Sequence, residues 1–331
     1  MKEKIDFVII WVDGSDESWL KEKNKYSPQK IDITNSSIRY RDYGILKYWF
    51  RGIEKYAPWV NKIHFVTWGH LPEWLDTTNP KLNIVNHKDY IPKKYLPTFS
   101  SHPIELNIHR IKGLSEKFVY FNDDMFILDK IEPTYFFNKG LPTDIWVEDI
   151  LVMDKTSDLN FSHILVNDAK VINTHFNKRA CAKKHPFKYI NLKYGNNNWK
   201  NILQYSWRNI SPRYFNHTPN AFLKTTFEEV WQKEPELLDS VCQNKFRSSD
   251  DINQYVMKAW QIYSGKFTPK SHNRFGGCIT LSDDVNLDAI KQRKYETLCI
   301  NDGEVKDFDK VQKKLIAAFE QILPEKSSFE K

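Results

Sequence analysis

The stretch that decides the fold runs from Leu96 to Leu128, LPTFSSHPIELNIHRIKGLSEKFVYFNDDMFIL. Its second half holds an apolar run, Phe118-Val119-Tyr120-Phe121, cut off abruptly by Asn122-Asp123-Asp124. A run rich in β-branched and aromatic residues reads as a buried strand. In open α/β sheets the carboxyl ends of strands face the ligand crevice. Adjacent carboxylates there are oxygen ligands for Mg²⁺ or Mn²⁺, although Asn-Asp-Asp alone is also an ordinary polar turn. Ahead of the strand, Glu105 and His109 stand four apart and share one face of an expected helix, with Arg110 beside them. Ser100 or Ser101 caps that helix, Pro103 suits its first turn and Gly113 stops it. One helix and the next strand then offer Glu105, His109, Arg110, Asn122, Asp123 and Asp124 to one crevice. The plain alternative is an amphipathic helix with a solvated polar face.

Outward from this stretch the same grammar repeats. Ile5 to Val12 is a continuous apolar strand that closes on Asp13-Gly14-Ser15-Asp16, where Gly14 permits a tight turn and close backbone approach. A helix is expected from Gly44 to Tyr56, since Ile45, Leu46, Trp49, Phe50 and Ile53 follow helical spacing. Lys62 to Trp68 and Leu82 to Val85 read as further strands. The alternation of strands and helices predicts an α/β fold, a doubly wound, Rossmann-like, mostly parallel sheet. Arg39 and Arg41 stand just before a helix start, where free backbone donors favour anions, and pairing with Asp42 is the alternative.

Beyond Thr143 the pattern breaks. Residues 144–215 carry Lys178, Arg179, Lys183, Lys184 and His185 and are rich in Asn and Trp. They read as an inserted, mainly helical subdomain that covers the crevice. Residues 216–305 return to the α/β core that 1–143 began, and 306–331 form a C-terminal helix and tail. In 216–305, Ser248 or Ser249 caps a helix running to about Tyr263, and a last strand, Glu296 to Ile300, ends in Asn301-Asp302-Gly303.

The chain has 331 residues, 40% hydrophobic and 15% aromatic, ample for a packed core. Its net charge of +7 reads as a mild, dispersed excess suited to anionic small substrates or an acidic membrane surface. A nucleic-acid partner would call for a clustered basic stripe, so none is expected. Phe7 to Val12 is too short for a signal-peptide core, and no stretch reaches the roughly 18 apolar residues of a membrane span. The expectation is a cytoplasmic protein, with peripheral contact at the inner face of the membrane or with an assembly complex. Cys181, Cys242, Cys278 and Cys299 lack CxxC spacing and read as buried thiols.

Four blocks together resemble the Stealth family of sugar-1-phosphate transferases, which includes bacterial capsule polymerases and the animal enzyme that begins the mannose-6-phosphate mark. They are IDFVIIWVDGSD at 5–16; a long block from RYRD at 39–42 through IEKYAPWVNKIHFVTWGHLPEWL at 53–75 to residues 96–126; NHTP at 216–219 with FRSSDDIN at 246–253; and CINDG at 299–303. The resemblance implies transfer of a hexose 1-phosphate or N-acetylhexosamine 1-phosphate from a UDP-sugar donor to a hydroxyl of an oligosaccharide or polysaccharide acceptor. UMP leaves and a phosphodiester forms. It implies functional roles for Glu105, Asp124, His217, Arg247 and Asp302. A phosphoryl transition state spreads negative charge, so Mg²⁺ or Mn²⁺ on Asp123, Asp124 and Asp302, with an Arg fork, would stabilise it. His217 is the expected base, with Glu105 or Asp124 as alternatives. Asp13 and Asp16 would contact the nucleotide or its metal, and Arg39 and Arg41 the pyrophosphate. Trp11, Gly14, Asp42, His109, Arg110, Asn122 and Asn301 complete the expected substrate side. Two rival readings are a metal-dependent glycosyltransferase that releases UDP, and a non-enzymatic module that binds glycans through a basic, aromatic surface.

Overall fold

The computed structural model describes residues 3–27, 41–153, 159–212, 217–271 and 276–331. The expected central strand is β1, Ile5–Ile10, with every residue buried. It is flanked by β2 (Ile63–Thr67) and β4 (Lys117–Phe121), with β3 (Leu82–Asn86) beyond β2. The sheet order is β3-β2-β1-β4, with strand Asn220–Leu223 on the outer side of β4. The first four strands are parallel and the last is antiparallel to β4. Winding therefore runs from β1 through β2 to β3 on one side and returns to β4 on the other. That reversal leaves a crevice between the carboxyl ends of β1 and β4, where doubly wound sheets bind ligands.

Alternate residues of β1 serve two apolar layers, as the two-residue period of a strand requires. Phe7 and Ile9 pack with helix Leu46–Tyr56 and helix Phe308–Ile322, while Val8 and Ile10 pack with Ile104, Leu106, Phe227 and Tyr255. Helix Leu46–Tyr56 buries Leu46, Trp49, Phe50 and Ile53, the residues whose spacing predicted it. It lies so close to β5 (Met125–Ile127) that a Cβ at Gly52 would sit 2.6 Å from the Ile127 carbonyl oxygen. The C-terminal tail is locked onto the same helix. Arg51 donates to both Glu330 carboxylate oxygens at 2.9 Å and to the Leu323 carbonyl at 2.8 Å.

The described residues between 144 and 212 are mainly helical, with helices Leu159–His175, Lys178–Lys184, Pro186–Tyr189 and Asn198–Gln204. They are tied down by buried polar groups. Asn201 accepts from the Glu148 N–H at 2.6 Å and donates to the Trp146 carbonyl at 2.7 Å.

Two expected helices differ. The one meant to carry both Glu105 and His109 stops at Leu106, and a 3₁₀ turn, Ile108–Arg110, follows. The break is at Asn107, whose side chain donates back to the Pro103 carbonyl at 2.8 Å and accepts from Arg110 Nε at 2.9 Å, competing with the helical ladder. The helix expected from Ser248 or Ser249 begins only at Tyr255. The Asp251 carboxylate takes the Ser248 N–H at 3.0 Å and folds 248–254 into turns.

Candidate active site

Asn122-Asp123-Asp124 is the turn between β4 and β5. β5 leaves the main sheet and joins a small one, antiparallel to strand Thr297–Asn301, which itself runs parallel to Gly277–Thr280. Cys299 pairs with Met125, the residue after Asp124. The Asp124 carboxylate consequently meets Cys299 Sγ at 3.5 Å, and its Oδ2 lies 3.1 Å from His217 Nε2. The other imidazole nitrogen, Nδ1, stands 3.3 Å from the hydroxyl of Tyr255. Asp124 Oδ1 is buried and has no hydrogen-bond partner among the described residues. Donor atoms of Asp124, His217 and Cys299 all lie within 4.8 Å of one another.

These contacts set the charge states. Burial opposes protonation of His217, but the charge and hydrogen bond of Asp124 outweigh it, and the imidazole is raised above its ordinary range. Its side chain is 31% exposed, so solvent softens the burial penalty. Asp123 is pushed up to about 7, first by desolvation within the crevice and then by the carboxylates of Asp124 and Asp42. Asp123 stays open to solvent, which weakens the first contribution and leaves its two acidic neighbours as the firmer cause.

Glu105 lies beneath this pair and does not touch it. It is buried, accepts from the Tyr120 hydroxyl at 3.1 Å and from the Gln254 N–H at 3.4 Å, and its charge also favours protonated His217.

The pocket at the switch point is walled by Trp11 and Val12 from the end of β1, by Asn122 and Asp123 from the end of β4, and by Phe99, Ser101 and Arg247. Arg247 Nη2 donates to Ser101 Oγ at 3.1 Å. The segment bearing Arg247 is bolted to the organising stretch. Phe246 stacks on Phe99 with centroids 5.4 Å apart, and buried His102 Nδ1 meets Asp251 at 2.7 Å. The pocket thus joins flat apolar walls to one guanidinium and a carboxylate floor.

Other expected site residues are placed elsewhere. His109 packs against Phe227 and Trp231, and Arg110 lies over the Trp231 ring, so neither joins the crevice. Asp302 lies outside the group formed by Asp124, His217 and Cys299. It is held by Arg41 through two bonds of 2.8 and 2.9 Å and by the Tyr43 hydroxyl at 2.8 Å. Arg41 is committed in the same contact, and Arg39 lies outside the described residues. Asp13 caps the turn that contains Gly14 by accepting from Ser15 N–H at 2.8 Å, and Asp16 caps helix Glu17–Tyr26 through Trp19 N–H at 2.7 Å. Asp42 accepts from Gly44 N–H at 2.7 Å, and Asn301 ends its strand exposed.

Tyr255, Tyr120 and Cys299 were not expected. Tyr255 carries no sequence signal beyond helical spacing, while Cys299 lies inside CINDG and was read only as a buried thiol. Cys278, also expected to be buried, is exposed and pairs across the strands with Cys299.

Comparison with known proteins adds to this geometry. The family model described as Stealth protein CR2, conserved region 2, matches residues 39–144, and that of Stealth protein CR1, conserved region 1, matches residues 3–31. The chain is 43% identical to the capsular polysaccharide phosphotransferase WcwK of Streptococcus pneumoniae, over 99% of this chain and 98% of that one. It is 40% identical to the receptor polysaccharide phosphotransferase WefC of Streptococcus gordonii over the whole of both chains. It is 39% identical to the exopolysaccharide phosphotransferase cps2G of Lactiplantibacillus plantarum, over 99% of this chain and 96% of that one.

Proposed function

The chain belongs to the Stealth family, and from that premise we propose that it is a phosphotransferase that moves a hexose 1-phosphate or N-acetylhexosamine 1-phosphate from a UDP-sugar to a hydroxyl of a growing surface polysaccharide, releasing UMP. The observation that carries this reading is the His217–Asp124 pair beside a pocket that also presents Arg247.

With Nε2–H donated to Asp124, the lone pair of His217 Nδ1 accepts from the Tyr255 hydroxyl, and it would take the proton of an acceptor hydroxyl in place of that contact. Asp124 orients the ring and stabilises the imidazolium that forms. The acceptor oxygen attacks the phosphorus that bears the sugar, the bond between the two phosphates breaks, and UMP departs. Arg247, a planar fork of donors, suits the oxygens on which negative charge gathers. Trp11 and Phe99 offer apolar faces for the base or the sugar.

A hard divalent cation fits the donor set, and when bound it would neutralise the diphosphate charge. Asp123 and Asp124 would hold it. The buried Oδ1 of Asp124 has no hydrogen-bond partner among the described residues, and Asp123 is crowded by like charge. Both offer the oxygen ligands that Mg²⁺ and Mn²⁺ favour. The mixed set of Asp124, His217 and Cys299 would suit a softer ion.

Among the described residues no helix is long and apolar enough to cross a membrane. Incubation with a panel of UDP-sugars and an acceptor glycan tests the reading. UMP as the product nucleotide supports it, and UDP would transfer the protein to the glycosyltransferase reading.

A further inference from the structure

We propose that residues 159–212 of the inserted region form a docking face for an anionic lipid bilayer. Among the described residues, thirteen of the fifteen exposed large hydrophobic side chains lie between Ile150 and Trp207. Leu192 is 98% exposed, Phe187 85%, Leu203 70% and Trp199 66%. A soluble domain seldom gathers its bare apolar groups in one region unless that region has a partner.

Helix Asn198–Gln204 is inverted in polarity. Its buried residues are Asn201 and Gln204, while Trp199, Ile202 and Leu203 face outward. Asn201 is fully engaged inside, holding the Glu148 N–H and the Trp146 carbonyl, so the helix cannot roll its apolar side inward without breaking those bonds. The outward apolar face is thus fixed by the interior.

Charge identifies the partner. The basic excess is concentrated, contrary to the dispersed distribution expected from composition. Residues 159–212 hold nine Lys or Arg and one Asp, a net charge of +8 against +7 for the whole chain. The rest of the chain is therefore net negative. Lys183, Lys184, Lys193 and Lys200 are exposed on the same region. Outward Leu, Phe and Trp among lysines is the pattern of segments that lie in the interface of an anionic bilayer. A second copy seated on this face would set cations against cations. A glycan would find few carboxylates there to receive its hydroxyls. The region also abuts the candidate site, since Asn167 donates to the carbonyls of Ser249 and Asp251 at 2.8 and 3.0 Å. The inference stands on the surface alone and does not depend on the reaction catalysed.

Co-flotation of the full chain with vesicles tests it. The protein is expected to float with phosphatidylglycerol vesicles and not with phosphatidylcholine vesicles, and to be released at about 1 M salt, where charges are screened within about 3 Å. The pair Lys183→Glu/Lys184→Glu and the pair Trp199→Ser/Leu203→Ser should each lower the bound fraction at least about tenfold. Both pairs should keep the wild-type circular dichroism and the wild-type turnover of a water-soluble acceptor. Absence of flotation with phosphatidylglycerol overturns the proposal. So does a wild-type dimer that Trp199→Ser/Leu203→Ser converts to a monomer while vesicle binding is unchanged.

Discussion

His217 and Asp124 stand 93 residues apart in sequence and meet at 3.1 Å. The carboxylate raises the imidazole above its ordinary range. A base must be neutral to accept a proton, so kcat/KM should rise with pH through a value above the ordinary imidazole value of about 6.5. Asp124→Asn keeps the shape and removes the charge, and should move that limb to lower pH as well as slow the reaction. The linked effect on stability has the opposite direction in pH. The pair's contribution is complete below about 6.5 and is lost as pH rises through the raised value. A pH–rate limb that stays in place in Asp124→Asn would remove Asp124 from this role.

Arg41 and Asp302 form a forked pair, each side chain about a quarter exposed at 24% and 23%. It clamps the chain entering helix Leu46–Tyr56 to the end of the small sheet. A double-mutant cycle of Arg41→Ala and Asp302→Ala in urea should give a coupling on the order of 1 kcal/mol. Additive effects would contradict the clamp.

Arg247 reaches the pocket from a segment pinned by the Phe99–Phe246 stack. Lysine can copy its charge but not its fork. Arg247→Lys should lose at least about tenfold in kcat/KM, about 1.4 kcal/mol of transition-state binding, with an unchanged unfolding midpoint. A near-normal rate would assign Arg247 to structure.

Arg51 is 6% exposed and faces Glu330 at 4% exposed. Arg51→Leu leaves a buried carboxylate without its partner and should cost about 3–5 kcal/mol. Chemical denaturation reads this directly, and a midpoint shift worth less than about 1 kcal/mol would mean that the tail relaxes and lets Glu330 reach water.

Much of the fold was legible because its signals are local. Four parallel strands and helix Leu46–Tyr56 follow from apolar runs and helical spacing that need no distant contact. The candidate site was legible in part. Asp124 and His217 were named, but their contact depends on β5 leaving the main sheet, which no local pattern announces. Asp302 was named as a metal ligand, and its pairing with Arg41 across 261 residues is invisible to spacing. His109 was misplaced because one side chain, Asn107, breaks the helix that would have carried it beside Glu105.

The central claim is that the acceptor oxygen attacks phosphorus and leaves the sugar's C1–O bond intact. Phosphorus NMR of a reaction with a UDP-sugar and an acceptor glycan tests it most directly. The account predicts UMP together with a new phosphodiester resonance carried by the glycan, the anomeric configuration of the donor being retained. UDP accumulating with no diester signal on the glycan would contradict it.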